Sequence, residues 1–407
     1  MKPIVLIATT SRWVPTARLG MALAQAGFVL DAVHPARHPL GQIGAVRQAY
    51  AYRGLMPLTS FADAIAASQP DLIVPGDDLA TLHLHHLHQR EGNDSDVGRL
   101  IERSLGVPES FATVYARAAF MELAGESGIR VPKTEVIENL SALKNWVGRM
   151  GLPTVLKANG TSGGDGIRVV RTLEEAERAF RALEAPPVLP RAVKRAVVDH
   201  DKTLLLPWLI RQRSVVNTQE FVSGREATSA VACWQGSVLA SLHFEVVHKR
   251  DSAGPSSVVR LIENAEMSAA TEEMVARLNL SGLHGFDFML EAHTGNAYLI
   301  EINPRATQVG HLTLGRGRDL PAALYAAVSE QALQPAPRVT ENDTIALFPQ
   351  EWIRDPKSPF LRSAYHDVPW DEPKLLHSCV RLRRKRSIGR SQLEPVQSLS
   401  PVRLPRL

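Results

Sequence analysis

Cysteine is nearly absent: Cys233 and Cys379 are the only two in 407 residues, too few for a disulfide framework or a cysteine-based zinc site. Long apolar runs are also missing. A stretch such as 203–210 falls far short of the roughly 20 residues that a membrane-spanning helix needs. Residues 1–8 run straight into a strand-like segment, without the apolar core and small-residue cleavage site of a signal peptide. These absences lead to the expectation of a cytoplasmic protein with no membrane partner. Charge of one sign is scarce too, with a formal net charge of +4. The basic residues gather late, in Arg381, Arg383, Arg384, Lys385 and Arg386. Without interleaved aromatics or a recognisable module, that run reads as a solvated tail or surface strand, and no nucleic-acid partner is expected. The first turn, Thr9-Thr10-Ser11-Arg12, lacks the glycines of a dinucleotide fingerprint, which argues against a bound nicotinamide or flavin.

What remains is 44% hydrophobic and 22% charged, the composition of a globular protein with a sizeable core, and long enough for two or three domains. The first hundred residues alternate strand and helix signals. Strands fall at 4–8, 28–33 and 71–74, with helices at 16–26, ending at Gly27, and at 60–69, where Ser60 can cap. Such βαβ spacing predicts a parallel, Rossmann-like sheet. A long helical pattern covers 109–128, and Pro132 then opens an extended segment. Strand 151–158 precedes a loop at 159–166. The next helix starts with a capping box, Thr172 and Glu175. Segments 217–222, 227–233 and 237–247 read as successive antiparallel strands, 267–278 as a helix, and 283–290 with 297–303 as a hairpin about Thr294-Gly295-Asn296. Beyond about 335 the pattern dissolves into proline-rich text. Trp352, Tyr365 and Trp370 read there as packing across domains, and 388–407 as a poorly ordered tail.

Three elements carry chemistry, and their order is informative. Lys157 ends a strand and is followed by Gly163, Gly164 and Gly166. Glycines leave backbone N–H groups free to approach an anion, and the lysine adds a positive charge. Taken alone this is as readily an ordinary turn, and it is not the Walker order, in which lysine follows the glycines. The second element runs through Phe221 and Val222 to Glu226: free backbone able to read an adenine edge, then a carboxylate able to accept from ribose hydroxyls. By itself it reads more simply as strand, turn and strand. The third is the strongest. Glu301 and Asn303 share a strand face by alternation, and the hairpin brings Asp287 onto that face. Two carboxylates and an amide oxygen form a hard-oxygen set suited to Mg²⁺. The alternative, charges on an exposed hairpin, fits badly with the apolar neighbours Phe286, Phe288, Leu299, Ile300 and Ile302, because buried unpaired carboxylates are costly without a cation.

Together these residues resemble the ATP-grasp superfamily over about 110–315. The resemblance implies a mixed α/β and α+β architecture: a Rossmann-like pre-ATP-grasp domain (1–108), then a two-subdomain ATP-grasp fold (109–335, with a small lid subdomain at about 130–220), then a C-terminal extension (336–407). It implies ATP and Mg²⁺ or Mn²⁺ as cofactors. Arg117, Lys157, Gly163, Gly164 and Gly166 would lie at the phosphates, Phe221 and Val222 at adenine, and Glu226 at ribose. Asp287, Glu301 and Asn303 would hold the metal, and Arg305 would stabilise the transferring phosphoryl group. Gln219 stands where many members have glutamate, and 185–215 is longer than the family pattern. The activity implied is phosphorylation of a small-molecule carboxylate followed by capture with an amine. A bicarbonate-activating enzyme, a kinase and a catalytically silent nucleotide-binding module stand as alternatives, and self-association as a homodimer is a further expectation.

The substrate end is less marked. Lys249, Arg250 and Arg260 flank Gly254-Pro255-Ser256-Ser257, read as a loop between strand and helix that could hold a second carboxylate. His243, His248 and His311 are candidate proton acceptors, although a lone histidine is more often structural. The cluster His83, His85, His86 and His88 invites a metal reading but lacks carboxylate or cysteine support.

Overall fold

The computed structural model describes residues 2–159, 166–186, 211, 213–251, 254–334 and 336–380. Gly163, Gly164, most of 185–215, the basic run at 381–386 and the segment 388–407 lie outside the described residues.

Among the described residues three sheets organise the chain. The first is parallel, in the order β3-β2-β1-β4, from β1 (Ile4–Ala8), β2 (Val29–His34), β3 (Val46–Ala51) and β4 (Leu72–Pro75). Buried on both faces, β1 is apolar throughout. Helix α1 (Val14–Ala26) stops at Gly27, whose φ of 121° only glycine adopts easily. A Cβ there would come within 2.9 Å of the Tyr325 ring. Helix α2 spans Pro57–Ser68, and Ser60 does not cap it. Pro57 sets the first turn, where no N–H is needed. The Ser60 hydroxyl accepts from the Arg53 amide (3.0 Å) and donates to the Met56 carbonyl (2.8 Å) inside that turn. Asp77 caps α3 (Asp78–Glu91), accepting from the Ala80 amide at 2.9 Å. Helix α4 covers Asp96–Leu105.

The expected long helix at 109–128 is broken. Helix α5 (Phe111–Tyr115) ends at Ala116, which is extended (φ −93°, ψ 101°), and α6 (Arg117–Glu126) begins afresh. Arg117 thereby sits at a helix start instead of mid-helix.

The second sheet is antiparallel, in the order β5-β8-β6-β7, from β5 (Thr134–Ile137), β6 (Thr154–Ala158), β7 (Ile167–Val170) and β8 (Val216–Glu220). Helices α7 (Leu140–Met150) and α8 (Leu173–Glu184) cover it around Leu143, Trp146, Leu156 and Phe180. Thr172 caps α8 through the Glu175 amide at 3.2 Å. The third sheet runs β13-β12-β9-β10-β11-β14-β15, from β9 (Gly224–Trp234), β10 (Ser237–Lys249), β11 (Ser256–Leu261), β12 (Gly282–Glu291), β13 (Ala297–Asn303), β14 (Thr344–Leu347) and β15 (Tyr365–Asp367). Helix α9 (Ala265–Arg277) packs with the hairpin core. Helix α10 (Leu320–Ser329) shares a core with α1, which joins the first sheet to the third.

Two expectations are corrected. The segment 217–222 does not continue into 227–233 within one sheet. β8 belongs to the second sheet and β9 to the third, and the chain crosses between them at 221–223. No hydrophobic periodicity marks the crossing, since polar stretches at 217–220 and 223–226 flank Phe221 and Val222, so the sequence does not show where one sheet ends. Residues 336–380, read as an extension with Trp352, Tyr365 and Trp370 packed across domains, also carry strands that the proline-rich text did not suggest. β14 pairs with β11, and β15 with β14, extending the third sheet. Trp352 and Tyr365 pack on the shared core, whereas Trp370 is 69% exposed. Among the described residues no helix is long and apolar enough to cross a membrane.

Several buried histidines are held neutral. Burial pushes His38 and His85 down to about 3, and His83 and His284 down to about 4. The unfolded chain binds protons at these groups below about pH 6.5 and the folded chain does not, so stability present above that pH is lost as pH falls. The melting temperature should drop between pH 7 and pH 5, each fully buried histidine contributing on the order of 1–2 kcal/mol. His85→Phe, which preserves its stack on Phe111, should flatten that dependence in a calorimetric pH series.

Candidate functional site

The hairpin β12–β13 builds the centre. Asp287 lies opposite Glu301, and Gly285 opposite Asn303. Its other face puts Phe286, Phe288, Leu299 and Ile302 into a core with α6 and α9. Strict alternation would give Leu299 and Glu301 the same face. The ladder instead shifts register between Asp287 and Phe288, skipping Ile300. This β-bulge lets Leu299 enter the core while Glu301 faces the site. It also frees the Ile300 carbonyl, which accepts from Lys157 Nζ and from Gln219 Nε2, each at 3.4 Å.

Cations converge on Glu301 from two other elements. Arg117, at the start of α6, donates through both terminal nitrogens, Nη2 to Oε1 at 3.3 Å and Nη1 to Oε2. Lys157 on β6 places Nζ 3.8 Å from Oε2. Burial raises the cost of the Glu301 charge, but Arg117 and Lys157 outweigh it and hold the carboxyl below its ordinary range. Lys157 is pushed down to about 8, first by burial and then by Arg117, with Glu301, Asp287 and Glu226 opposing. Asp287 is pushed up by burial and by the neighbouring Glu301 charge, although Asn303 and Thr228 donate to it. The Asn303 amide nitrogen is 2.9 Å from Asp287 Oδ2.

Arg305 completes the row. Its Nε donates to Asp78 Oδ2 at 3.2 Å, Nη2 to Asn303 Oδ1 at 3.1 Å and Nη1 to the Ala306 carbonyl. The guanidinium lies 5.5 Å from the centre of the Trp13 ring. Burial alone would lower its pKa, but Asp78 outweighs this and raises it. The sequence reading missed Asp78 and Trp13. The acidic pair after β4 was visible, but nothing local pointed to an arginine more than two hundred residues away.

The remaining candidates divide. Phe221 and Val222 are half-buried in the crossover between sheets. Glu226 lies on β9, close enough for its charge to act on Lys157, and pairs with Lys249 at 3.0 Å. Gly166 closes the base of its loop, its carbonyl accepting from the Ala158 amide at 2.9 Å. Gln219 also donates to Thr134 Oγ1 at 3.0 Å. Since its amide nitrogen meets the Ile300 carbonyl, a glutamate there would set a carboxylate against that oxygen. The Lys249–Arg250–Arg260 group flanks a strand-to-strand hairpin, not a strand-to-helix junction. His243 is buried between Ser229 (2.7 Å) and Ser268 (2.9 Å), His248 packs on Phe360, and His311 pairs with Asp367 at 2.6 Å. The histidines of α3 diverge: His83 meets the Tyr52 hydroxyl, His85 stacks on Phe111, His86 is exposed and His88 pairs with Glu102.

A divalent cation fits this donor set. Asp287 and Glu301 face each other, and Asp287 is destabilised as a carboxylate by that proximity, which a cation would relieve. Among the described residues no three His, Cys, Asp or Glu side chains form a metal-holding group, so the set is two carboxylates and an amide. Among the described residues Arg117 Nε is buried without a partner. A small cavity of about 40 Å³, lined by Arg117, Asn159 and Glu301 among others, opens beside it.

Residues 119–309 match the family model described as the ATP-grasp domain. The chain is 24% identical over 207 residues to the carbamoyl phosphate synthase large chain of Deinococcus deserti, covering 49% of this chain and 18% of that one. It is 30% identical over 142 residues to the phosphoribosylamine–glycine ligase of Ralstonia nicotianae, covering 34% and 28%. The chain thus spans under a third of the length of these curated relatives. Among solved structures it resembles N5-carboxyaminoimidazole synthase from Aspergillus clavatus, crystallised with ADP and 5-aminoimidazole ribonucleotide (TM-score 0.60, 15% identity, 82% of this chain and 79% of that one). It also resembles the biotin carboxylase domain of the Hydrogenobacter thermophilus 2-oxoglutarate carboxylase, a dimer with MgADP and bicarbonate (TM-score 0.57, 14% identity, 82% and 71%). At these identities the solved structures establish the fold.

Gly285 tests how tightly the hairpin is built. A Cβ there would lie 2.2 Å from Thr307 Cγ2, so the Thr307 side chain or the segment that carries it must move. Gly285→Ala should lower stability by about 1–3 kcal/mol in urea unfolding. Gly148→Ala, with nothing within 4 Å of its new Cβ, should leave stability unchanged or slightly raised.

Proposed function

Residues 119–309 belong to the ATP-grasp family, and on that premise we propose that the chain is an ATP-dependent ligase that phosphorylates a substrate carboxylate and joins it to an amine. The observation that carries this reading is the convergence of Lys157 from the second sheet, Arg117 from α6, Asp287, Glu301 and Asn303 from one hairpin, and Arg305 from the segment just after it. Arg305 beside the carboxylates puts a fixed positive charge where a transferring phosphoryl group would need one, which favours the ligase reading over a nucleotide-binding module.

In this reading Arg117 and Lys157 turn from Glu301 to the nucleotide phosphates, and the backbone at Phe221 and Val222 meets the adenine edge. Glu226 accepts from the ribose. Gly163, Gly164 and Gly166 belong to the loop over the phosphates. Asp287, Glu301 and Asn303 hold Mg²⁺ or Mn²⁺, which when bound supplies charge neutralisation at the phosphate oxygens. Arg305, fixed by Asp78, Asn303 and Trp13, needs no reorganisation to stabilise charge on the transferring phosphoryl group. The substrate carboxylate takes up that group, releasing ADP. The amine then attacks the acyl carbon, releasing phosphate and leaving an amide. The curated ligase relative supports carboxylate–amine chemistry, and the dimeric Hydrogenobacter domain supports a homodimer, testable by light scattering.

The deciding experiment is ADP release from Mg·ATP with pooled acids, bicarbonate included, and pooled amines. Turnover should require both an acid and an amine and fall by about 10²-fold or more in Glu301→Ala. ADP release with the acid alone, at an undiminished rate, would mark a kinase. Binding of ATP without turnover from any pool, unchanged in the variant, overturns the ligase reading. Asp78→Ala frees Arg305 on one side and should lower kcat by about tenfold or more, with little change in ATP affinity.

A further inference from the structure

Beside the charged cluster lies a cleft of about 320 Å³ that the nucleotide reading leaves unused. Its walls come from α3 and α5. His85 and Phe111, both buried, stack with ring centres 3.9 Å apart and planes only 7° from parallel, so each covers a face of the other and the pair gives the cleft a rigid aromatic wall. Exposed His86 and Gln89 stand at the rim. Tyr115 and Asn159 line both this cleft and the small cavity at Arg117 and Glu301, so the two spaces adjoin.

Among the described residues no aspartate, glutamate, lysine or arginine lines the cleft, in contrast to the charged end that it reaches. His85 stays neutral, its pKa pushed down to about 3 by burial. Burial, with Asp78 and Asp77 nearby, pushes the Tyr115 hydroxyl up to about 12, so it too is uncharged. A charged group entering here would lose hydration without finding a counter-charge. An uncharged ring would find the aromatic side chains of Phe111 and Tyr115 to pack against and a few polar groups at the rim to orient it.

We propose that this cleft is the side-chain subsite for one of the two substrates, and that it takes a compact uncharged aromatic group, as on an aromatic amino acid, with the reacting end directed to Arg117 and Glu301. The proposal rests on the ligase reading only in calling the occupant a substrate; the binding chemistry stands on the cleft itself.

The test is therefore binding, separate from turnover. Saturation-transfer NMR and calorimetry on the full chain, with and without MgADP, would compare L-phenylalanine, L-tyrosine and L-tryptophan with L-glutamate and L-lysine. The aromatic ligands should bind in preference to the charged ones. Ala112→Trp, which fills the cleft from an exposed position on α5, should weaken that binding at least about tenfold, equivalent to about 1.4 kcal/mol, while ADP affinity and melting temperature hold. His86→Trp, from the opposite wall, should do the same and serves if the first variant folds poorly. Absence of aromatic binding, equal binding of charged amino acids, or binding untouched in both variants overturns the proposal whatever the ADP-release assay shows. So does a matching loss of ADP affinity, which would give the cleft to the nucleotide base. Aromatic binding that passes these tests in a chain without turnover would leave the subsite standing and the ligase reading fallen.

Discussion

Two carboxylates set side by side on a hairpin repel each other and lose hydration, and much of the surrounding architecture answers that single problem. Asp287 and Glu301 are direct cross-strand partners, a placement that is destabilising for like charges in a sheet. Glu301 is relieved by Arg117 and Lys157, and Asp287 by donors from Asn303 and Thr228. The break at Ala116 delivers Arg117 at a helix start, and the bulge at Ile300 turns Glu301 towards these cations while Leu299 stays in the core. The break has no evident packing purpose of its own, and the bulge serves the core and the site at once. Both make sense as parts of a charge arrangement.

The same constraint ties the first sheet to the third. Arg305 completes the row by reaching across to Asp78, the first residue of α3, and Thr81 one turn further donates to the Pro304 carbonyl at 2.7 Å. Asp77, beside Asp78, accepts from Thr9, Thr10 and Ser11 as well as capping α3. The turn after β1, which lacks dinucleotide glycines, is thus stitched to an aspartate and helps position Arg305. A second junction, Arg18–Asp367–His311, fastens α1 to β15 and to the segment after β13. Buried pairs of this kind hold geometry more than they add net stability, which suits a site whose charges must be fixed before the substrate arrives.

Much of this was legible in the sequence where the signal is local. The β1 run, the stop at Gly27, the cap at Thr172 and the hairpin about Gly295 follow from periodicity and turn chemistry, and Asp287, Glu301 and Asn303 follow from alternation plus the cost of burying carboxylates. The failures are non-local. Ser60 has a cap residue's chemistry, but Pro57 upstream had already started the helix. The crossing at 221–223 lies between two polar stretches that carry no sign of a change of sheet, and β14 and β15 are recognisable as sheet only once β11 is there to pair with β14. Asp78 and Trp13 matter only because of a residue far along the chain.

Gln219 shows how a departure from a family pattern is read once its neighbours are known. In sequence it stands where many members carry glutamate, which puts the reading of the nucleotide in doubt. In the structure its amide donates both to Thr134 within the second sheet and to the Ile300 carbonyl that the bulge exposes in the third. Lys157 donates to the same oxygen. The two sheets are therefore strapped together through one carbonyl that exists as a free acceptor only because the ladder skips it. A carboxylate at 219 would strengthen the pull on Lys157 but would repel that carbonyl, so the amide trades a charge for a strut. The bulge that orients Glu301 and the glutamine that departs from the pattern belong to one device, holding the second sheet in register with the hairpin whose carboxylates it must meet.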